Sequence, residues 1–233
     1  MIRDQQAQEF TNMLNRCQLG EALPYVLGWW EFYGRRFHLS PAVMIPRPET
    51  EQMVEASLEY LSGRSYPPIV IDVGTGSGCV AVTLAAEMPG LRIFASDISS
   101  AALTLARRNI LEHNVSSQIE LVRSDLLVPF DCEFDLICAN LPYIPTGELK
   151  KIAVGRREPH LALDGGADGL KVIRRLMKLL PDRLAQGGRA LLEIGVGQDE
   201  AVLDLASKAV TQVRCEVRRD LAGLQRLVVI DRT

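Results

Sequence analysis

The sequence lacks long apolar runs, a signal segment and an excess of charge of one sign. No apolar run approaches the ~18 residues that cross a bilayer, and the first residues lack the apolar core of a signal peptide. We therefore expect a cytoplasmic protein with no membrane contact. The 26 Lys and Arg residues are balanced by 29 Asp and Glu residues, for a net charge of −3. That balance excludes a global positive field that would attract nucleic acid.

Paired cysteines and clustered histidines are also missing. The five cysteines are odd in number, widely spread and form no Cys-x-x-Cys pair. A disulfide framework or a structural zinc site would need closer, paired spacing. The three histidines share no helical spacing. We therefore expect buried thiols in a reducing compartment and no bound metal.

What is present is the composition of an ordinary globular protein, with 47% apolar and 24% charged residues. A chain of 233 residues suggests one domain with an appendage. From Pro68 onwards the sequence pattern changes, and continuous apolar runs begin at Ile69. We therefore expect an N-terminal region over residues 1–62 and a main domain over residues 63–233.

The N-terminal region predicts a helix, a β-hairpin and a second, linking helix, at residues 2–19, 30–39 and 49–61. Gly20 and Pro24 are expected to end the first helix. That helix is amphipathic, so its apolar side needs a cover, and the aromatic hairpin is the simplest one.

The main domain alternates between strand and helix patterns. Apolar runs predict strands at residues 69–73, 92–97, 119–122, 134–139, 188–194, 213–217 and 227–230, and helical spacing predicts helices at 80–88, 101–111 and 200–208. This alternation is typical of an α/β sheet with right-handed crossovers. Residues 144–168 are the one long irregular segment, which at that length is expected to be functional.

A glycine cluster, Asp72-Val-Gly-Thr-Gly-Ser-Gly78, follows the first strand of the main domain and opens a helix. Glycines there let the backbone approach a ligand, whose polar groups meet free N–H groups. Cys79 stands where a dinucleotide fingerprint has its third glycine, and no Lys-Ser/Thr follows as in a nucleotide P-loop. The charge of Asp72 would repel phosphate. It suits a cationic ligand, and S-adenosylmethionine carries both an ammonium and a sulfonium.

Two more carboxylates follow the next strands. Asp97 ends the second strand, 19 residues after Gly78, where it can accept hydrogen bonds from ribose hydroxyls. Asp125 follows the third strand and can reach an adenine edge. The alternative is a structural glycine turn with surface carboxylates.

The strand at residues 134–139 ends in Asn140-Leu141-Pro142-Tyr143. An exposed Asn followed by Pro and an aromatic residue suits methylation of a planar nitrogen, whose lone pair is delocalised. The Asn140 side-chain oxygen and the Leu141 carbonyl can accept its N–H groups and orient the lone pair, while Tyr143 lies against the planar group. Such a site works by orientation and electrostatics. The alternative is an Asn-initiated turn.

Over about residues 25–231 the chain resembles the release-factor glutamine methyltransferases (the HemK/PrmC family). The motifs that carry this resemblance are Glu31-Phe-Tyr-Gly34, Ile45-Pro-Arg-Pro-Glu-Thr-Glu51, the glycine cluster, Asn140-Leu-Pro-Tyr143, Glu158-Pro-His-Leu-Ala-Leu163, Gly165-Gly-Ala-Asp-Gly-Leu170, Leu192-Glu-Ile-Gly195 and Asp220-Leu-Ala-Gly223. The glycine cluster is shared by many methyltransferases. The segment at residues 45–51 and the pair at residues 158–170 are more specific.

The resemblance implies a seven-stranded Rossmann-like methyltransferase fold with a short helical and hairpin N-terminal extension. It also implies transfer of a methyl group from S-adenosylmethionine, with S-adenosylhomocysteine as product. The acceptor in this family is the side-chain amide nitrogen of the glutamine in the Gly-Gly-Gln motif of class I peptide chain release factors. We expect a monomer with a release factor as its protein partner.

The same resemblance implies two sets of site residues. The expected cofactor-binding residues are Arg47, Pro48, Glu49, Thr50, Asp72, Gly74, Thr75, Gly76, Ser77, Gly78, Asp97, Ile98, Asp125, Leu126 and Asn140. The expected substrate-binding residues are Asn140, Leu141, Pro142 and Tyr143, with Asn140 and Tyr143 as the catalytic pair.

Two departures keep alternatives open. Leu141 replaces the usual proline, and Leu at this place also resembles the rRNA adenine dimethyltransferases. The family has several helices before the hairpin and this sequence has about one, so we expect weak docking of a release factor. The rivals are a methyltransferase acting on adenine N6 or cytosine N4 of a nucleic acid, and a non-catalytic relative. Basic residues that could meet phosphate follow the Asn140 motif, at Lys150, Lys151, Arg156 and Arg157, but solvated surface charge is the commoner explanation.

Overall fold

The computed structural model describes residues 4–233, apart from the side chains of Asp4 and Arg156. The predicted beginning of the first helix at residues 2–3 and the suggested phosphate contact of Arg156 lie outside this description. Among residues 4–233, no helix is long and apolar enough to span a membrane.

A seven-stranded sheet forms the centre of the molecule, and a two-stranded hairpin lies apart from it. The order in the large sheet is β5-β4-β3-β6-β7-β9-β8; the first five of these strands pair in parallel, and β9 runs antiparallel to both β7 and β8. This sheet confirms the predicted α/β class. The strands are β1 (Trp29–Phe32), β2 (Arg35–His38), β3 (Ile69–Val73), β4 (Arg92–Asp97), β5 (Ile119–Arg123), β6 (Phe134–Ala139), β7 (Leu184–Glu193), β8 (Val213–Arg219) and β9 (Gln225–Arg232).

Helices flank the sheet and fill its connections. They are α1 (Asp4–Gln18), α2 (Leu23–Leu27), α3 (Glu51–Ser62), α4 (Cys79–Glu87), α5 (Ser100–Glu112), α6 (Thr146–Leu149), α7 (Ala153–Arg157), α8 (His160–Leu163), α9 (Lys171–Met177), α10 (Leu180–Arg183) and α11 (Asp199–Ala209). A 3-10 turn, Pro48–Thr50, leads directly into α3.

Two hydrophobic clusters cover the two faces of the sheet. In β6, Leu136 and Cys138 belong to one cluster and Ile137 and Ala139 to the other, as the alternation of side chains along a strand requires. The first cluster also contains residues from the hairpin and α3, namely Phe32, Phe37, Met53 and Val54. The N-terminal region therefore shares a core with the main domain, and the boundary at residue 62 stays a prediction.

The N-terminal helix differs from the expectation. It contacts α2, while Phe10 and Leu14 on its apolar side remain exposed. The expected cover by the hairpin is therefore wrong for these two side chains, because the hairpin aromatics are already buried against the sheet. Pro24 does not interrupt a helix but lies in the first turn of α2, where its missing N–H is no loss.

The segment at residues 144–168 is less irregular than predicted. It contains α6, α7 and α8, and Ile144 forms an isolated bridge with Asp164. Pro145 and Pro159 stand at the N-caps of α6 and α8. Helices of four or five residues are too short for a 3.6-residue periodicity to be visible, which explains why the sequence pattern did not reveal them.

Candidate active site

The site lies where the chain changes direction across the sheet. Strands β4 and β5 extend the sheet on one side of β3, and β6 and β7 extend it on the other. Ligands of open α/β sheets bind outside the carboxyl ends of the strands at such a switch point. A cavity of about 380 Å³ opens at this place.

Most of the predicted cofactor and substrate residues line this cavity. They are Thr50, Asp72, Gly74, Thr75, Gly76, Ser77, Asp97, Ile98, Asp125, Leu126, Asn140, Leu141 and Pro142. Five others lie outside its lining, namely Arg47, Pro48, Glu49, Gly78 and Tyr143. The structure therefore brings predicted residues from five separate segments of the chain to one edge of the sheet.

The glycine cradle, defined here as residues 72–78 with Asp97, is held against β4 by backbone hydrogen bonds. The amides of Gly74 and Thr75 both donate to the Ser96 carbonyl on β4, at 2.8 and 2.9 Å. Gly78 has a φ of +81°, and a Cβ added to it would lie 3.3 Å from the Cβ of Ala106 on α5. Glycine at this position thus serves both the turn and the close packing of α4 on α5.

Asp97 acts on the cradle from the end of β4. Its Oδ2 accepts from the Gly76 amide at 3.0 Å and its Oδ1 accepts from the Ser99 amide at 2.9 Å. Burial raises the pKa of this carboxyl, while the two amides oppose that shift. Each carboxylate oxygen can accept a further bond, so Asp97 can hold the loop and still receive ligand hydroxyls.

Asp72 is a buried acid whose pKa is shifted upward at this edge. It is 4% exposed, and its Oδ2 accepts from the Thr75 hydroxyl at 2.6 Å. Burial raises the pKa of Asp72 to about 6, and the Asp97 carboxylate adds to that increase. Burial disfavours the ionised form of this carboxyl, and a cationic ligand beside it would stabilise that form. The residues present therefore fit the ammonium and sulfonium expected of the cofactor.

Glu158 joins two segments that cover the cavity. Its Oε2 accepts from the Ile45 amide at 2.9 Å, and its other oxygen pairs with the Arg47 guanidinium. The Glu158 side chain is 3% exposed. Pro46 precedes Arg47 and Pro159 follows Glu158, and both prolines line the cavity. The resemblance had suggested that Arg47 covers the cofactor. In the structure Arg47 contributes through this ion pair, beside the cavity.

Arg175 was not anticipated from the sequence. It lies on α9, lines the cavity, and its Nη2 pairs with Asp125 Oδ2 at 2.6 Å. Both partners are almost half exposed. Asp125 therefore lies in the cavity lining, but part of its accepting capacity is taken by Arg175. The sequence offered no sign of this pair, because α9 was not among the predicted helices.

The second cluster, called here the Asn140 corner, consists of Thr50, residues 140–143 and Glu193. Asn140 Nδ2 donates to Thr50 Oγ1 at 3.1 Å, and Thr50 Oγ1 donates to Glu193 Oε2 at 2.6 Å. The Tyr143 hydroxyl donates to Glu193 Oε1 at 3.3 Å. Glu193 is 2% exposed and ends β7. Its motif was noticed in the sequence, but no role was assigned to it.

A smaller pocket of about 160 Å³ adjoins the corner. Arg47, Tyr143, Ile144, Ile152, Val154 and Leu163 line it, and it shares Met44, Asn140, Leu141 and Ala162 with the larger cavity. Asn140 and Leu141 thus belong to the lining of both spaces. The segment at residues 144–168 supplies much of the lining of the smaller pocket, and its functional role stays a prediction.

Gly169 explains why a glycine motif lies next to this corner. Its φ is +79°, and an added Cβ would stand 2.2 Å from the Tyr143 carbonyl oxygen. The same carbonyl accepts from Gln198 Nε2 at 2.9 Å. No side chain larger than hydrogen fits between residue 169 and the backbone of Tyr143.

Comparisons with known proteins show similarity to methyltransferases. Residues 57–157 match the family described as the methyltransferase small domain. A release factor glutamine methyltransferase of Neisseria gonorrhoeae is 44% identical over 97% of this chain and 82% of its own length. The protein of the same name from Koribacter versatilis is 41% identical over 98% of this chain and 81% of its own length.

Solved structures show the same architecture. A release factor-specific protein-(glutamine-N5) methyltransferase from Alicyclobacillus acidocaldarius has a TM-score of 0.51 and 30% identity, covering 84% of this chain and 99% of that one. A methyltransferase from Pyrococcus furiosus has a TM-score of 0.63 at 17% identity, covering 95% and 98% of the two chains. At that identity the second likeness concerns the fold alone.

Proposed function

The chain belongs to the family of release factor glutamine methyltransferases, and from this membership we propose its cofactor, its substrate and its site. We propose that it transfers a methyl group from S-adenosylmethionine to the side-chain amide nitrogen of a glutamine in a class I peptide chain release factor. The Gly-Gly-Gln motif is the proposed acceptor segment. Site residues are those of the glycine cradle and the Asn140 corner.

One observation carries this proposal. Asn140 and Leu141 line both the large cavity at the glycine cradle and the small pocket beside it. A donor in the first space and an acceptor in the second would meet at these two residues. Transfer between two bound groups depends on such an approach, because holding both reactants in place removes most of the entropic barrier.

The glycine cradle provides a suitable environment for the donor. S-adenosylmethionine supplies, when bound, a methyl group on a positively charged sulfur, and S-adenosylhomocysteine is the product. The buried carboxylate of Asp72 favours a cation in the cavity, and the spare acceptor capacity of Asp97 suits ribose hydroxyls. Ile98 and Leu126 give the same cavity an apolar lining near these carboxylates.

The Asn140 corner provides acceptors for an amide. The side-chain oxygen of Asn140 and the backbone carbonyl of Leu141 can take the two N–H groups of a glutamine side chain, which holds the nitrogen in place. Replacing the family's usual proline by Leu141 leaves that carbonyl available. Burial raises the pKa of the Tyr143 hydroxyl, which donates to Glu193. Tyr143 therefore stays protonated and acts by contact with the planar amide rather than as a base.

A methyl-transfer assay with two acceptors tests the proposal. Purified class I release factor and unmodified RNA are incubated separately with the protein and radiolabelled S-adenosylmethionine. We expect label on the release factor, with mass spectrometry placing one methyl group on the Gly-Gly-Gln glutamine. A release factor whose glutamine is replaced by Glu is the matched control and should stay unlabelled. Label on RNA alone would support the nucleic-acid alternative, and binding without transfer would indicate a non-catalytic relative.

A further inference from the structure

Asn140 is linked to a buried carboxylate that does not itself line the cavity. The link has two steps, from Asn140 Nδ2 to Thr50 Oγ1 at 3.1 Å and from Thr50 Oγ1 to Glu193 Oε2 at 2.6 Å. The three side chains come from the end of β6, the 3-10 turn before α3 and the end of β7. Thr50 and Glu193 are 3% and 2% exposed, so both side chains are largely shielded from solvent.

The donor and acceptor of each of these two hydrogen bonds follow from the hydrogen-bonding capacity of the three side chains. An ionised carboxylate only accepts hydrogen bonds, and a hydroxyl has a single hydrogen to donate. Glu193 therefore takes the hydrogen of Thr50, which leaves Thr50 Oγ1 able only to accept. The group that faces Thr50 must then be the NH₂ of Asn140, and the Asn140 oxygen is turned away from Thr50.

That direction matters for an amide substrate. A glutamine NH₂ brings two donors, so an acceptor must face it. If the Asn140 amide were rotated by half a turn, its own NH₂ would meet the NH₂ of the substrate. The two orientations are nearly identical in shape, so packing alone does not distinguish them; the hydrogen-bond partners do.

Both carboxyl oxygens of Glu193 accept a hydroxyl hydrogen, one from Thr50 and one from Tyr143, which is the arrangement of an ionised carboxylate. Burial raises the pKa of this carboxyl, and the nearby Glu49 adds to that increase. The hydrogen bonds from Thr50 and Tyr143 and the Arg226 guanidinium on the neighbouring strand β9 oppose that shift and favour the carboxylate. Arg226 is itself held by Asp220 Oδ2 at 3.2 Å and by the Ile194 carbonyl at 3.4 Å.

We propose that Glu193 is a positioning residue that, through Thr50, sets which end of the Asn140 amide faces the acceptor substrate. This inference rests on the proposed function, because only an acceptor that donates N–H groups makes the orientation matter. Glu193 touches neither reactant, and Thr50 acts on the reaction through Asn140.

Two substitutions at Thr50 separate the hydroxyl from the shape of the side chain. Thr50→Val keeps the shape and removes the hydroxyl, whereas Thr50→Ser keeps the hydroxyl. We expect Thr50→Val to lower kcat by about tenfold or more, with the KM for release factor and the affinity for S-adenosylmethionine within about threefold of wild type. Thr50→Ser should restore kcat to within about threefold.

Thr83→Val is a matched control for the loss of a buried hydroxyl. Thr83 lies on α4 with 0% exposure, and its Oγ1 has no hydrogen-bond partner among the described residues. This variant should keep wild-type kcat. Equal kcat in Thr50→Val and Thr83→Val would overturn the proposal. A loss of cofactor affinity in Thr50→Val that accounts for the whole loss of activity would also overturn it, because Thr50 would then be a direct cofactor contact.

Glu193→Gln tests the carboxylate itself with a side chain of the same size. A Gln side chain can donate to Thr50, which lets the Thr50 hydroxyl turn its hydrogen towards Asn140 and so permits the reversed orientation. We expect kcat to fall by about fivefold or more with unchanged cofactor affinity. Wild-type kcat in Glu193→Gln would contradict the role given to the carboxylate.

A measurement without substrate keeps this test separate from the proposed function. In ¹⁵N-labelled protein, the side-chain NH₂ signals of Asn140 are identified by their loss in Asn140→Ala. Hydrogen bonding to Thr50 should slow their exchange with water in the wild type, and exchange should be faster in both Thr50→Val and Glu193→Gln. Unchanged exchange of the Asn140 NH₂ hydrogens in both variants would refute the proposed link from Asn140 through Thr50 to Glu193. If the wild type shows protected signals but methylates no release factor, the proposed function fails while the link itself stands.

Discussion

The glycine cradle and the Asn140 corner lie at one edge of the same sheet but are held together differently. The cradle is a short stretch of chain fastened by the backbone of its neighbour β4, through Ser96 and Asp97. The corner depends on side chains far apart in sequence: Thr50 is 90 residues from Asn140 and 143 residues from Glu193. A binding surface can thus be encoded locally, whereas an oriented reactive group needs support from several elements. Substitutions in the two regions should therefore separate cofactor binding from methyl transfer.

The largest effect is expected at the corner. Asn140→Ala removes the proposed side-chain acceptor and should lower methyl transfer by about a hundredfold or more, as loss of one positioned polar group does in other enzymes. Cofactor affinity, measured by calorimetry, should change little, because the cradle keeps its own bonds. Initial rates with release factor provide the measurement. Wild-type turnover would remove Asn140 from the reaction, and a parallel loss of cofactor affinity would erase the distinction between the two regions.

In the glycine cradle, Asp97→Ala should weaken cofactor binding and leave methyl transfer at saturating cofactor nearly unchanged. We expect the affinity for S-adenosylmethionine to fall by about 1.5–3 kcal/mol, the range for hydrogen bonds to a charged group. Stability should also decrease, because the amides of Gly76 and Ser99 lose their acceptor. At saturating cofactor, kcat should stay near the wild-type value. Calorimetry, denaturant unfolding and rates measure the three quantities, and unchanged affinity would exclude Asp97 from the site.

Asp72 gives the cradle a dependence on pH. Its pKa is raised to about 6 in the folded state, so the unliganded protein loses stability as the pH rises from the unfolded value near 4 to about 6. Asp72→Asn removes this penalty and should be more stable than wild type at pH 7 by about 1–3 kcal/mol, with a smaller difference at pH 4. The same variant should bind the cationic cofactor more weakly. Denaturation at both pH values and calorimetry test this, and a less stable variant at pH 7 would contradict it.

The smallest effect belongs to the ion pair at the outer end of the cavity. Arg175→Ala breaks the contact with Asp125, but both side chains are almost half exposed. We expect stability to change by less than about 0.5 kcal/mol, as for exposed pairs in general. Arg175→Lys is the control that keeps the charge. A much larger loss of stability in Arg175→Ala, measured by thermal unfolding, would show that Arg175 supports the cavity wall.

The difference between the glycine cradle and the Asn140 corner also explains which contacts could be predicted from the sequence. The cradle was predicted because a buried strand, a glycine cluster and a following helix are consecutive in the chain, and the sheet order then brings Asp97 to the loop. The link from Asn140 through Thr50 to Glu193 was not predicted, since no local pattern records the contact between Thr50 and Glu193, which are 143 positions apart. Arg175 was missed for a related reason, because the short helix α9 was not recognised.

The position of β9 has a consequence for the synthesis of the protein. This strand, Gln225–Arg232, is inserted between β7 and β8, although it follows both in the chain. It also carries Arg226, which acts on Glu193. On a ribosome, therefore, neither the sheet nor the environment of that carboxylate is complete until residues 225–232 have emerged, and until then β7 and β8 expose unpaired edges that other chains could occupy.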